Sequence, residues 1–237
     1  MLRRVSARLS REYGDPRLHN KSNPLDELIF IVLSAKTAES SYLRTYNALR
    51  RAFRPWSRIL GATRADVTRE IEIGGLARKK EAQIRSLLET IRLRTGKVSL
   101  SFLSRASDEQ AEKFLTSLPG VGLKTARCVL MYSLGRDVFP VDTHVRRVLS
   151  RLGAIKHERL TDEVQDWIQA AVPPNIRYAL HVNLVAHGRV VCRTRTPLCD
   201  RCVISDGCSY YQSARWPISS GRHRPLRAPS PEHPSAF

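Results

Sequence analysis

Apolar side chains recur along most of this chain at the spacing of one helix face. Leu2, Val5 and Leu9 open it with a period that lays side chains in a single stripe. Tyr42, Tyr46, Leu49 and Phe53 mark a second helix, closed by Pro55. Ile84, Leu87, Leu88 and Ile91 form a third, which Gly96 is placed to end. Val164, Trp167, Ile168 and Ala171 repeat the pattern until Pro173 and Pro174 stop it. Ser107 and Gln110 have capping-box spacing ahead of Phe114 and Leu115, so another helix begins there. No stretch alternates as a strand does. The pattern predicts an all-α fold.

Periodicity lapses near the C-terminus. Residues 213–237 hold five of the 13 prolines together with Arg215, Arg222, Arg224 and Arg227, and read as a disordered basic tail. The tail adds phosphate contacts or is inert; composition alone leaves both open. Over the whole chain 40 Lys and Arg face 22 Asp and Glu, a net charge of +18. Such a chain attracts polyanions, nucleic acid first among them, with ribosomes and acidic membrane surfaces as alternatives. The apolar run Leu28–Leu33 is far short of the roughly 20 residues that cross a bilayer, so no membrane association is expected. The first eleven residues are Arg-rich and free of acids, as in a transit peptide, but their periodicity favours a basic amphipathic helix. Four of the five cysteines fall between Cys192 and Cys208. With no secretory signal ahead of them, a metal site is expected rather than disulfides. Cys128 stands apart and reads as a buried apolar filler.

Candidate chemistry concentrates in Leu118-Pro119-Gly120-Val121-Gly122-Leu123-Lys124. Glycines without Cβ atoms permit a tight turn and close approach of a partner, and the helix that follows offers its first amides to a phosphate. Lys124, two residues past Gly122, is by itself a phosphate contact or a nucleophile. Asp142, in Val141-Asp142-Thr143-His144-Val145, is by itself an ordinary N-cap or a catalytic carboxylate. Cys192, Cys199, Cys202 and Cys208 can hold zinc or an iron–sulfur cluster. Zinc ribbons bring two C-x-x-C knuckles together and this segment has one, which favours iron–sulfur.

In combination these motifs, with His187-Gly188-Arg189 ahead of the cysteines, resemble the endonuclease III branch of the helix-hairpin-helix DNA glycosylases, over about residues 1–212. The resemblance implies two helical domains with a DNA-binding cleft between them. One is a six-helix unit at 24–136 that carries the hairpin, and the other joins 1–23 to 137–212. It implies a 4Fe–4S cluster on Cys192, Cys199, Cys202 and Cys208. It also implies a monomer acting on double-stranded DNA that contains damaged, in the first place oxidised pyrimidine, bases or abasic sites. Lys124 would attack the sugar C1′ and form a Schiff base, and Asp142 would stabilise the cationic sugar. Gly120, Val121 and Gly122, with Thr143 and His144, would line the DNA, and Arg193 and Arg195 on the cysteine loop would meet phosphates. Such a protein is expected in the cytoplasm of a bacterium, or in the nucleus or an organelle of a eukaryote.

At one position the chain departs from the family pattern. Relatives carry a Ser-Ala-Gln type segment after the second helix, whose glutamine enters the duplex; here it reads Ser34-Ala35-Lys36. An ammonium donates but cannot accept, so contact with the opposing strand changes character. Gly74-Gly75-Leu76-Ala77 resembles the family's wedge loop, with Leu76 between bases; otherwise Leu76 is a surface leucine in a glycine turn. The alternatives are a monofunctional adenine glycosylase, a mismatch-type glycosylase and a DNA-binding homologue without turnover. The first would place a glutamate in the second helix, and Leu28–Ala35 holds no carboxylate.

Overall fold

The computed structural model describes residues 1–14, 20–37, 39–156 and 159–213, apart from the side chains of Glu39 and Ser40. Most of the basic tail expected at 213–237 thus lies outside the described residues. Among those described the secondary structure is helical, with no strand. The α-helices are α1 (Leu2–Tyr13), α2 (Pro24–Ser34), α3 (Glu39–Ala52), α4 (Arg58–Gly61), α5 (Arg64–Ile71) and α6 (Ala77–Thr95). They continue as α7 (Asp108–Thr116), α8 (Leu123–Leu134), α9 (Thr143–Arg151), α10 (Asp162–Ala171), α11 (Arg177–Val190) and α12 (Ser209–Ser213). They divide into two compact units, α2–α8 in one and α1 with α9–α12 in the other.

In the first unit the central element is α2. Asn23 caps it by accepting the N–H groups of Leu25 at 2.9 Å and Asp26 at 3.1 Å, and Pro24 supplies a preset first turn. Leu25, Leu28, Ile29, Val32 and Leu33 are all buried, as befits a helix packed by α3, α6 and α8. Tyr42, Tyr46 and Leu49 of α3 are buried too, and Phe30 of α2 meets both tyrosine rings edge-on. The predicted stripe of α6, Ile84, Leu87, Leu88 and Ile91, faces the core, and Gly96 ends the helix in the left-handed region. Helix α7 starts with the predicted capping box, Ser107 and Gln110 each accepting the other's backbone N–H at 3.1 Å.

The second unit packs α11 against α1 and α9 over a core of Val5, Leu9, Val145, Val148, Leu149, Ile168, Leu180 and Leu184. Here one expectation is corrected. Helix α10 forms where its stripe predicted, but Trp167 is 51% exposed and Ala171 is exposed, while Gln165, Ile168 and Val172 point inward. Polar side chains bond on that helix: Gln169 Oε1 accepts the Phe139 N–H at 2.6 Å, and within the helix Gln165 Nε2 donates to Asp162 at 3.1 Å.

Candidate active site and cysteine-lined cavity

The hairpin joins α7 to α8 through Leu118–Gly122. Val121 N–H closes the turn on the Leu118 carbonyl at 3.1 Å, and its side chain is buried. The two glycines do different things. Gly120 has φ 71°, and a Cβ there would lie 2.7 Å from Gln83 Nε2, whose amide donates to the Gly120 carbonyl. Gly122 has an ordinary φ of −89°, and a Cβ there would meet nothing within 4 Å. The turn therefore requires only the first glycine; the second leaves bare backbone at the start of α8. Gly122 is the N-cap of α8 and brings no side chain to its amides, an arrangement that suits an anion. Lys124 follows as the second residue of α8, half-buried beside the fully packed Ala126 and Arg127. Glu27 of α2, 1% exposed, feels the charge of Lys124. Burial pushes its carboxyl up to about 7, against the Lys21 N–H that it accepts at 2.7 Å and the charges of Lys21 and Lys124.

In the same unit Lys36 and Leu76 stand in the left-handed region, both at φ 53°, the only non-glycine residues to do so among those described. Both are exposed. Their loops are joined underneath by Lys80, which is 4% exposed. Its ammonium donates to the Leu33 carbonyl at 2.7 Å, the Gly74 carbonyl at 3.1 Å and the Thr37 hydroxyl. Thr37 in turn donates to the Gly74 carbonyl at 2.8 Å.

In the second unit Asp142 is the N-cap of α9, accepting the Val145 N–H at 2.7 Å. Thr143 beside it is exposed. His144 is half-buried against Gly188, where a Cβ would come within 2.9 Å of the histidine's own, so the glycine of His187-Gly188-Arg189 lets α11 and α9 close on each other. Burial pushes His144 down, and Arg147 Nη2 lies 3.0 Å from its Nδ1. A guanidinium only donates, so Nδ1 is an acceptor. Arg147 continues to the carbonyls of Gly188 at 2.7 Å and Cys192 at 2.9 Å.

Cys192, Cys199, Cys202 and Cys208 line one partly open cavity, with Arg151, Leu198 and Tyr210 among its walls. Arg151 reaches the Cys192 Sγ at 3.3 Å and the carbonyls of Arg193 at 2.6 Å and Thr194 at 2.8 Å, so it holds the cysteine loop by its backbone. Arg193 and Arg195 on that loop are exposed. Buried His187 has Nε2 3.4 Å from Cys202 Sγ and Nδ1 2.9 Å from the Tyr13 hydroxyl. No three His, Cys, Asp or Glu side chains among the described residues gather closely enough to hold a single ion.

The structure thus gathers the four cysteines around one cavity, joins the Lys36 and Leu76 loops and sets Lys124 behind Gly122. Lys124 and Asp142 lie in different units. Four residues escaped the sequence reading. Lys80 looks like one member of the basic run Arg78-Lys79-Lys80, and Arg147 and Arg151 like the solvated face of a basic helix. Glu27 looks like a first-turn acid of α2. The only signal for Glu27 is its place between Leu25 and Leu28 on a helix apolar nearly all round.

Residues 29–174 match the model of the HhH-GPD superfamily of base excision DNA repair proteins. An endonuclease III of Sulfolobus acidocaldarius is 30% identical over 191 residues, covering 80% of this chain and 83% of the relative. One of Thermotoga maritima is 30% identical over 197 residues, 83% of this chain and 88% of the relative. A putative DNA glycosylase of Arabidopsis thaliana is 32% identical over 166 residues, 70% of this chain and 57% of that longer protein. Among solved structures, a non-covalent endonuclease III–DNA complex has the same fold, with TM-score 0.76 and 24% identity over 89% of this chain and 95% of that one. A thermostable thymine-DNA glycosylase gives TM-score 0.75 at 20% identity, covering 90% of this chain and 97% of that one.

Proposed function

Because this chain belongs to the HhH-GPD superfamily of base excision DNA repair proteins, we propose that it removes a damaged base and then cuts the strand at the abasic site through Lys124. The family and the endonuclease III relatives make it a DNA glycosylase. Strand cleavage, the choice of base and the residue roles go beyond them. The observation that carries the proposal is the position of Lys124, on the first turn of α8 directly behind the bare Gly122 backbone. A strand whose phosphate docks at that N-terminus brings its sugar within reach of the amine.

The chemistry follows from the amine. Neutral Nζ attacks C1′ as the N-glycosidic bond breaks, and the base leaves with the bonding pair. Loss of a proton from nitrogen and opening of the sugar give an iminium, which acidifies C2′. Removal of a C2′ proton then expels the 3′ phosphate, cutting the strand by β-elimination. Asp142 would stabilise positive charge developing on the sugar. Gly120, Val121, Gly122, Thr143 and His144 would position the DNA, with Arg193 and Arg195 on its phosphates. The proposed substrate is double-stranded DNA with damaged, chiefly oxidised, pyrimidines or abasic sites, bound by a monomer.

We assign Cys192, Cys199, Cys202 and Cys208 to a 4Fe–4S cluster. Four thiols lining one cavity fit a cluster in which each binds its own iron, and the single C-x-x-C spacing favours that over zinc. Arg151 and His187 already lie against two of the sulfurs. When bound, the cluster supplies cross-links that fix the loop carrying Arg193 and Arg195.

Borohydride trapping on an abasic-site duplex tests the lysine. Wild type should give a covalent adduct and Lys124→Gln none, while duplex affinity falls less than about tenfold because many other cations remain. Undiminished trapping by Lys124→Gln overturns the assignment.

A further inference from the structure

Among the described residues Lys36 and Leu76 are the only non-glycine residues with positive φ, and they are also the two that the family resemblance would place in the duplex. Left-handed φ values on such side chains are costly and persist only where surrounding structure imposes them. What surrounds them is one buried ammonium. Lys80 has three N–H donors, and all three are used: on Leu33 at the end of α2, on Thr37 just after Lys36, and on Gly74 just before Leu76. The Thr37 hydroxyl closes the ring by donating to the Gly74 carbonyl. Gly74 is pressed from the other side by Thr45, whose Oγ1 would lie 2.7 Å from a Cβ at that position. Neither loop can shift without breaking a bond to the same nitrogen.

Resting on the reading that Lys36 and Leu76 enter the duplex, we infer that Lys80 is a positioning residue that makes the two loops act as one wedge. An ammonium is the one side-chain group that offers three donors from a single atom, so it alone can bond Leu33, Thr37 and Gly74 at once. Lys80 touches neither base nor sugar. It fixes the spacing between the side chain that fills the vacated place and the side chain that parts the opposite stack. DNA opened by one is therefore held open by the other.

Coupling is the measurable consequence. The probe is a duplex carrying a tetrahydrofuran abasic analogue with 2-aminopurine on the opposite strand, whose fluorescence rises on unstacking. Affinity and fluorescence at saturation are measured for Lys36→Ala, Leu76→Ala and the double variant. In the wild-type background each single change should lower affinity about tenfold and abolish most of the fluorescence rise. The double variant should be little worse than either single one. In a Lys80→Met background the two changes should become additive. Thr37→Val removes the shared hydroxyl and keeps the buried lysine, and should weaken the coupling in the same direction if Lys80→Met does not fold. Additive effects in wild type, or coupling that survives both Lys80→Met and Thr37→Val, overturn the role of Lys80. Singles that leave the fluorescence rise intact instead remove Lys36 and Leu76 from the duplex, a separate failure.

Discussion

Glu27 is almost wholly enclosed, and the Lys21 N–H and the charges of Lys21 and Lys124 do not offset its loss of water. Its carboxyl is raised from the usual 4.5 to about 7. In the folded state the proton is held more tightly than in the unfolded chain, so this group favours folding below pH 4.5. That contribution is lost as pH rises towards 7. Replacing it with glutamine should therefore change little at pH 5 and stabilise at pH 8, by about 3 kcal/mol relative to pH 5. Thermal melts of wild type and Glu27→Gln at both pH values check this; a constant difference would mean that the group stays ionised throughout. Neither Glu27 nor Lys80 was legible in the sequence. Arg78 and Lys79 are exposed and Lys80 is buried, though the three are chemically alike in a string of letters. What separates them is which carbonyls the neighbouring loops bring to that side of the helix.

The elements were more legible than their environments. The capping box at Ser107, the stop at Gly96 and the inward faces of α3 and α6 follow from local rules that tertiary packing does not override here. Helix α10 was placed correctly but faces differently, because a buried glutamine and a backbone-bonded one count as polar in any hydrophobic stripe. The hairpin was found as a motif, yet its glycines look equivalent on paper. They should separate by experiment. Gly120→Ala forces a Cβ against Gln83 at positive φ and should cost about 1–2 kcal/mol of stability. Gly122→Ala should leave the melting temperature unchanged, since its new methyl group meets nothing in the protein. It should instead lower affinity for an abasic-analogue duplex about tenfold, by filling the space a phosphate would occupy. Anisotropy titrations showing full affinity for Gly122→Ala would remove the hairpin from the DNA.

Across the whole molecule, the net charge of +18 does two jobs that composition cannot separate. Some cations face outward, but several arginines are engaged with the chain itself. Arg85 donates to the carbonyls of Ile59 and Ala62, Arg136 to those of Ser104 and Ala106, and Arg177 to those of Gln169 and Val172. Arg147 and Arg151 do the same for the segment around Cys192. In the described helices no sheet ladder absorbs loop and helix-end carbonyls, and guanidinium forks serve instead. Arg151→Lys keeps the charge and loses the fork. It should lower iron and acid-labile sulfide per purified chain and soften the 192–208 segment to proteolysis, while the slope of duplex affinity against salt stays as in wild type. Full iron and sulfide content in Arg151→Lys would remove Arg151 from holding the cysteine loop, and zinc in place of iron in the wild type would overturn the cluster assignment. The same forks constrain which sequences can replace this one. Exchanging arginine for lysine is the smallest step that conserves charge, yet at a position such as Arg151 it replaces a fork spanning two carbonyls with a single nitrogen. Variants alike to a polyanion therefore differ in how firmly their loops are fastened.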